Sequence, residues 1–350
     1  MHLTDEIIMQ RCLDLARNGL GHTAPNPMVG AVIVHEGRVI GEGFHTACGK
    51  PHAEVEAVTQ VKDHTLLAES TLYINLEPCN HQGRTPPCTD LILQKGIRRV
   101  VIGQTDPHET AGGGIERLRS HGVEVITGVL EDQCRHLNCR FNTFHQQKRP
   151  YIILKWAQSK DGYVDTHRTD PATQPPARIT DDSCRRLVHK WRSEEQAILA
   201  GSGTIRMDNP RLDVRHWAGR NPLRITIDRQ GVCASTGDLH VTDGSTPTLV
   251  YTNVVTPAQH NLEFVRISSD EPVWPQILAD LYARNIQSVL IEGGPTLLKT
   301  LIDSNLWDEA RVFIGPGWLG DGIKAPEFPF QPVESEPVGQ SDLLIFRRNS

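Results

Sequence analysis

Two short runs constrain this chain more than anything else in it. The first is His52-Ala53-Glu54. The second reads Pro78-Cys79-Asn80-His81-Gln82-Gly83-Arg84-Thr85-Pro86-Pro87-Cys88. Together they hold an imidazole, two thiols and a carboxylate that is not itself a ligand. A catalytic zinc takes three protein ligands and keeps its fourth position for water. His52, Cys79 and Cys88 supply one nitrogen and two sulfurs for such a site. The metal would lower the pKa of its water to near neutrality. Glu54 is then the proton carrier, taking one from the water and passing protons to a ring nitrogen and a leaving amine. Residues two apart on a helix do not face one another. His52 and Glu54 therefore converge only if His52 stands at the helix entry, a boundary that Pro51 favours.

The pattern H-x-E followed by P-C-x-x-C is the signature of zinc-dependent deaminases. Here eight residues lie between the cysteines where that pattern has two. Two plainer readings compete with it: buried thiols beside an ordinary histidine, or a closed structural zinc site with His81 as fourth ligand. The combination of residue types favours catalysis. Pro78 suits the first turn of a helix, which would place the Cys79 thiolate at a positive helix end.

At 350 residues the chain is expected to form two domains. Hydrophobic content of 38% and charged content of 22% suit a globular protein able to bury a core. A formal net charge of −6 argues against broad nucleic-acid binding, while leaving room for a local basic pocket. The N-terminal residues lack a basic segment followed by an apolar core, so no signal peptide is expected. No apolar run approaches a membrane span. Eight cysteines, two of them in the motif, fit a reducing cytoplasm better than a disulfide framework. Cys12, Cys48, Cys134, Cys139, Cys184 and Cys233 are read as structural thiols.

Along the chain, apolar spacing predicts a helix over residues 4–18 with Thr4 as cap. The turn Pro25-Asn26-Pro27 leads into a strand at 28–34, and Glu36-Gly37 reads as a hairpin turn into 39–43. Asn26 is either a turn residue or an amide presented to a substrate ring. A helix opens at His52, a strand at 72–76 delivers Glu77-Pro78-Cys79, and a helix follows near 89–95. A strand at 99–103, a helix after Gly112-Gly113-Gly114, a strand at 123–126 and one long helix over 130–144 complete this half. The triple glycine is either a phosphate loop or merely flexible. Strands alternating with helices imply a layered α/β domain.

Lys148-Arg149-Pro150 marks the boundary, dividing the chain into residues 1–148 and 149–350. The second half opens with a strand at 151–157, then a polar Pro-rich loop at 166–176 and a helix capped by Thr180 or Asp181 that runs to Arg192. Strands follow at 197–200, 223–227, 248–251 and 288–291. Two of them run directly into glycine turns, Gly201-Ser202-Gly203-Thr204 and Glu292-Gly293-Gly294-Pro295-Thr296, the second followed by a helix at 297–302. Strand, glycines, helix is the geometry that sets backbone N–H groups against phosphate, although glycine often serves only the turn. Neither turn is a G-x-G-x-x-G fingerprint, which disfavours a Rossmann fold. With Lys155, Asp208 and Glu292 they read as a dinucleotide reductase site.

Both halves resemble the bifunctional deaminase–reductase family of riboflavin biosynthesis. The resemblance rests on Pro25–Gly30, His52–Val55, and Leu76–Cys79 through Pro86-Pro87-Cys88. It continues with Leu154–Ala157, Asp161-Gly162, Gly203-Thr204, Asp208–Pro210, Leu212–Arg215 and Glu292–Gly294. The Cys79–Cys88 spacing around Gly-Arg-Thr-Pro-Pro is particular to that family among zinc deaminases. It implies a cytidine-deaminase-like α/β domain followed by a dihydrofolate-reductase-like α/β domain. The first would use zinc to remove the 2-amino group of 2,5-diamino-6-(5-phosphoribosylamino)pyrimidin-4(3H)-one. The second would use NADPH to reduce the ribosyl side chain to ribityl.

Carried over by motif, Lys155, Ala157, Thr204 and Asp208 take cofactor-side positions, and Gly293, Gly294, Pro295 and Thr296 lie against the cofactor. Arg192, Leu212, Arg215 and Glu292 take substrate positions, with the two arginines suited to clamp a phosphate. Related enzymes are commonly oligomers, which implies a homo-oligomer here, with a small-molecule substrate and neither nucleic acid nor membrane as partner. Three positions depart from the family. Arg178 stands where an aromatic packs on cofactor, Asn209 replaces a second aspartate, and Lys160 replaces a leucine. Two further readings are a nucleobase or tRNA deaminase with a non-catalytic second half, and a zinc-stabilised binding module.

Overall fold

A computed structural model describes residues 4–83, 86–108, 112–235, 238–254, 257 and 259–348; Arg84 and Thr85 of the cysteine motif lie outside them. The chain divides into two compact units, residues 1–148 and 149–350.

The first unit is built on five strands: β1 (Gly30–His35), β2 (Arg38–Phe44), β3 (Thr71–Leu76), β4 (Arg99–Gln104) and β5 (Glu124–Thr127). Their order is β2-β1-β3-β4-β5, with β1 antiparallel to both neighbours and β3, β4 and β5 parallel. Alternation in β1 sends Ala31 and Ile33 to one face and Val32 and Val34 to the other, and both faces are covered. Helices α1 (Asp5–Arg17) and α5 (Glu131–Leu137) pack on the Val32 side through Met9, Leu13 and Cys134. Helices α2 (Ala53–Gln60), α3 (Cys88–Gln94) and α4 (Gly114–Ser120) pack on the Ala31 side through Ala57, Ile92 and Leu118. Thr4 caps α1 as the sequence predicts, accepting from the Ile7 N–H.

Two local expectations are corrected. The predicted helix over 130–144 is two helices, α5 and α6 (Cys139–Gln147), broken at Asn138. The Asn138 amide is buried and bonds both the N–H of Met28 (2.8 Å) and its carbonyl (3.0 Å), so a distant backbone segment claims the residue that would continue the helix. Pro78 opens no helix, and Cys79 lies in a segment without regular secondary structure. Cys88 begins the helix instead, with Pro87 as its cap residue.

The second unit holds a nine-stranded sheet and a small ribbon. Its strands are β6 (Tyr151–Gln158), β7 (Tyr163–Asp165), β8 (Ala197–Gly201), β9 (Leu223–Ile227), β10 (Thr248–Thr252), β11 (Leu262–Arg266), β12 (Ser288–Ile291), β13 (Glu309–Ile314), β14 (Ile323–Lys324), β15 (Glu334–Val338) and β16 (Ser341–Arg347). The large sheet runs β11-β10-β9-β8-β12-β6-β13-β16-β15, parallel except for the two antiparallel pairings made by β16, while β7 pairs with β14. Its helices are α7 (Asp182–Glu194), α8 (Ser202–Asp208), α9 (Val232–Ser235), α10 (Val273–Ala283) and α11 (Pro295–Asp303). Alternation along β8 again covers both faces: Ala197 and Leu199 join α10 and α11, whereas Ile198 and Ala200 join Ile205 of α8. Asp181, not Thr180, caps α7, accepting from Ser183 and Cys184.

Candidate active sites

In the first unit, β3 ends at Leu76 and delivers Cys79, while α2 and α3 each begin at a motif residue. His52 is the cap residue of α2 and Cys88 the first residue of α3. The three ligand atoms lie within 4.8 Å of one another, and among the described residues no fourth histidine, cysteine or carboxylate joins them. His81, the candidate fourth ligand, is exposed and outside the group. His52 Nδ1 is 3.6 Å from Cys79 Sγ and 3.3 Å from Cys88 Sγ. Nitrogen and sulfur around a tetrahedral zinc stand about 3.5 Å apart, given Zn–N near 2.0 Å and Zn–S near 2.3 Å. The donor set and its spacing fit that metal, with one position left open.

Cys79 also accepts the backbone N–H of Cys88 at 3.4 Å. The sulfur therefore meets the start of a helix from outside it, and the helix end beside Cys79 is that of α3, not one opened by Pro78. The Cys88 thiol hydrogen-bonds Cys79 and, against the cost of burial and with His52 beside it, holds the Cys79 thiol down to about 4. The same bond and burial push Cys88 up. Glu54, one residue into α2, is 3% exposed. Burial, with the Cys79 thiolate nearby, raises its carboxyl to about 7.

The segment that carries Cys79 is fastened on several sides. The Glu77 carboxylate accepts the N–H groups of Asp106 (3.0 Å) and Ile115 (3.1 Å), tying the ends of β3 and β4 to α4. A methyl group at Gly114 would stand 2.1 Å from the Pro78 carbonyl oxygen, so only glycine admits that approach. Gly114 is thus explained by packing and Gly113 by its left-handed φ of +87°. Asn75 of β3 bonds Gly30 and Met28, fixing the chain just after Asn26. Asn26 is half-buried, and its Nδ2 lies 3.0 Å from Nε2 of His45. His45 escapes a motif search because nothing in its spacing marks it.

In the second unit, β8 and β12 are parallel neighbours, and each runs into a helix through glycine. The two turns line one cavity of about 970 Å³, together with Lys155 and Ala157 of β6, Asp208 and Glu292. Gly203 faces open space: a methyl group there would meet no atom within 4 Å. Glycine at 203 leaves room that the protein itself does not fill, as a bound dinucleotide requires. Arg192, Leu212 and Arg215 do not line the cavity. Arg192 turns its fork on Glu292, and Arg215 pairs with Asp213. The Leu212 side chain is in the core, on a backbone with φ of +51°.

Arg168 was not legible in the polar loop. It lines the cavity, pairs with Asp165 and Asp208, and is nearly closed to solvent. Arg178 points elsewhere and pairs with Asp182, leaving Pro176, Ala177, Ile179 and Thr180 on the cavity wall. Asn209 is the left-handed residue that ends α8, bonding His240 and Asp238, a role asparagine fills well. Lys160 is exposed and contributes its backbone N–H to Gly317.

Residues 3–104 match the cytidine and deoxycytidylate deaminase zinc-binding region, and residues 150–338 match the RibD C-terminal domain. The riboflavin biosynthesis protein RibD of Aquifex aeolicus is 36% identical, covering 98% of this chain and 98% of its own length. That of Escherichia coli is 33% identical over 95% of this chain and 96% of its own. A crystal structure from Thermotoga maritima, described as a diaminohydroxyphosphoribosylaminopyrimidine deaminase and 5-amino-6-(5-phosphoribosylamino)uracil reductase, superposes with a TM-score of 0.88. It is 38% identical and covers 98% of each chain. Among the described residues no helix is long and apolar enough to cross a membrane. The chain therefore belongs to the RibD family, bifunctional enzymes of riboflavin biosynthesis that join a zinc-dependent pyrimidine deaminase to an NADPH-dependent reductase.

Proposed function

We propose that residues 1–148 carry out the deamination and residues 149–350 the reduction, each with its own set of side chains. The convergence of His52, Cys79 and Cys88 beside a buried Glu54 carries this reading for the first unit. Zinc bound by those three ligands supplies water of lowered pKa as nucleophile. Glu54 takes the proton from the attacking water and returns protons to the ring nitrogen and the departing amine. Asn26 orients the pyrimidine ring, and the closed packing around Glu54 keeps stray water from the proton path.

In the second unit, NADPH supplies the hydride for the ribosyl carbon. Gly293, Gly294 and Thr296, with Thr204, would bring backbone N–H groups against its phosphates, and Pro295, which has no N–H, starts α11 beside them. Lys155, Ala157 and Asp208 hold its reactive end. Glu292 binds the substrate, Arg192 orients Glu292, and Arg215 reaches the phosphate. Leu212 meets the substrate through its backbone, since its side chain is buried. The resemblance also supports a homo-oligomer, testable by sedimentation. Eight free thiols support a cytoplasmic setting.

Following ammonia release and NADPH oxidation together tests the assignment, using zinc-loaded full-length protein and the diaminopyrimidinone ribosyl phosphate. Loss of ammonia alone in Glu54→Ala, with reduction of supplied deaminated intermediate intact, is the expected result. Loss of both activities in that variant, in a folded zinc-loaded protein, would reject two separate sites.

A further inference from the structure

His45 lies between β2 and Pro51, is 3% exposed, and has no part in the chemistry above. Its Nδ1 is 2.9 Å from the Pro51 carbonyl oxygen and its Nε2 is 3.0 Å from Asn26 Nδ2. The ring meets His52 edge-on, with centroids 5.5 Å apart. Among the described residues neither nitrogen meets a carboxylate, and an imidazolium buried without a counter-charge is costly. The ring is therefore neutral, with one donor and one acceptor.

The Pro51 carbonyl only accepts, so Nδ1 must carry the proton. Nε2 is then a bare lone pair that only accepts. That decides which end of the Asn26 amide faces the ring, because its NH2 group donates and its oxygen cannot. Asn26 Oδ1 makes no hydrogen bond among the described residues. A carbonyl one residue before the first metal ligand thus sets, through one imidazole, the polarity of an amide at the substrate site.

We infer that His45 is a positioning residue of the deaminase, turning Asn26 so that Oδ1 is offered to an N–H group of the pyrimidine. This rests on the reading of Asn26 as a substrate group. The site then prefers a ring N–H or amine at that place and discriminates against a carbonyl or an unprotonated ring nitrogen, which would leave Oδ1 unpaired.

Nitrogen-15 NMR of histidine-labelled, zinc-loaded full-length protein reads the tautomer without a mutation, with the His45 signal assigned by its loss in His45→Phe. A proton on Nδ1 alone is expected; one on Nε2, or on both nitrogens, overturns the inference. In kinetics, Asn26→Ala and His45→Phe should each lower kcat/KM for ammonia release by about tenfold or more. The double variant should be no worse than the weaker of the two. Zinc content and reduction of supplied intermediate report whether the variants fold. A weakened Asn26→Ala beside a fully active His45→Phe overturns this inference alone. Full activity in Asn26→Ala overturns the substrate role of Asn26, and the inference falls with it.

Discussion

Arg192 and Glu292 meet with both prongs engaged, Nε to Oε1 at 2.7 Å and Nη2 to Oε2 at 2.9 Å. Nη1 of the same guanidinium donates to the Asp213 carbonyl at 3.0 Å, and Lys155 Nζ stands 3.6 Å from Glu292 Oε2. The arginine that the sequence suggests as a phosphate clamp is engaged first with a carboxylate at the end of β12. The pair holds Glu292 charged at the cavity edge.

Burial works against the Glu292 charge, but Arg192 and Lys155 hold its carboxyl down at about 2. A depressed folded pKa means that the stabilisation is fully present above the unfolded value near 4.5 and is lost as pH falls through about 2. Arg192→Met should destabilise the second unit by about 3–5 kcal/mol at neutral pH, because it leaves a buried carboxylate poorly paired. Urea titrations at pH 7 and pH 3 check both points: the penalty should shrink at the lower pH. An equal penalty at both would refute the assigned charge state.

Glu54→Gln keeps the shape of α2 and removes the proton carrier. Ammonia release should fall by about 10²–10⁴-fold while bound zinc and reductase turnover stay unchanged. Metal analysis beside the coupled assay makes the comparison, and loss of zinc would recast Glu54 as part of the metal site.

Gly114→Ala places a methyl group against the Pro78 carbonyl and pushes on the segment that holds Cys79. Overpacking of this kind costs about 1–3 kcal/mol. The first unit should melt earlier and lose zinc more readily to a chelator, with reductase activity retained. Unaltered chelator competition would show that the contact does not bear on the metal.

Gly203→Ala should act in opposite directions on fold and function. Alanine in a helix is favoured over glycine by about 1 kcal/mol, and no protein atom opposes the added methyl group. Thermal stability should hold or rise slightly while KM for NADPH increases, since the methyl group enters the cavity. An unchanged KM would place the cofactor elsewhere.

The sequence by itself determined the candidate ligands His52, Cys79 and Cys88, the neighbouring carboxylate Glu54, the alternation of strands with helices, and the two glycine turns. These are local: they depend on residue type, on periods of two or 3.6, and on turn chemistry within a few positions. Tertiary structure decided the break at Asn138, the meeting of Cys79 with a helix start supplied by Cys88, and the placement of Arg168 against Asp208. It also decided β13, where Glu309 and Arg311 sit buried in a strand because they pair with each other and Arg311 lies over Trp191. Apart from the Glu309–Arg311 pair itself, two residues apart in one strand, the partner lies nine or more residues away. A buried amide or charge is tolerated only when such a partner satisfies it, and only the folded chain brings the two together.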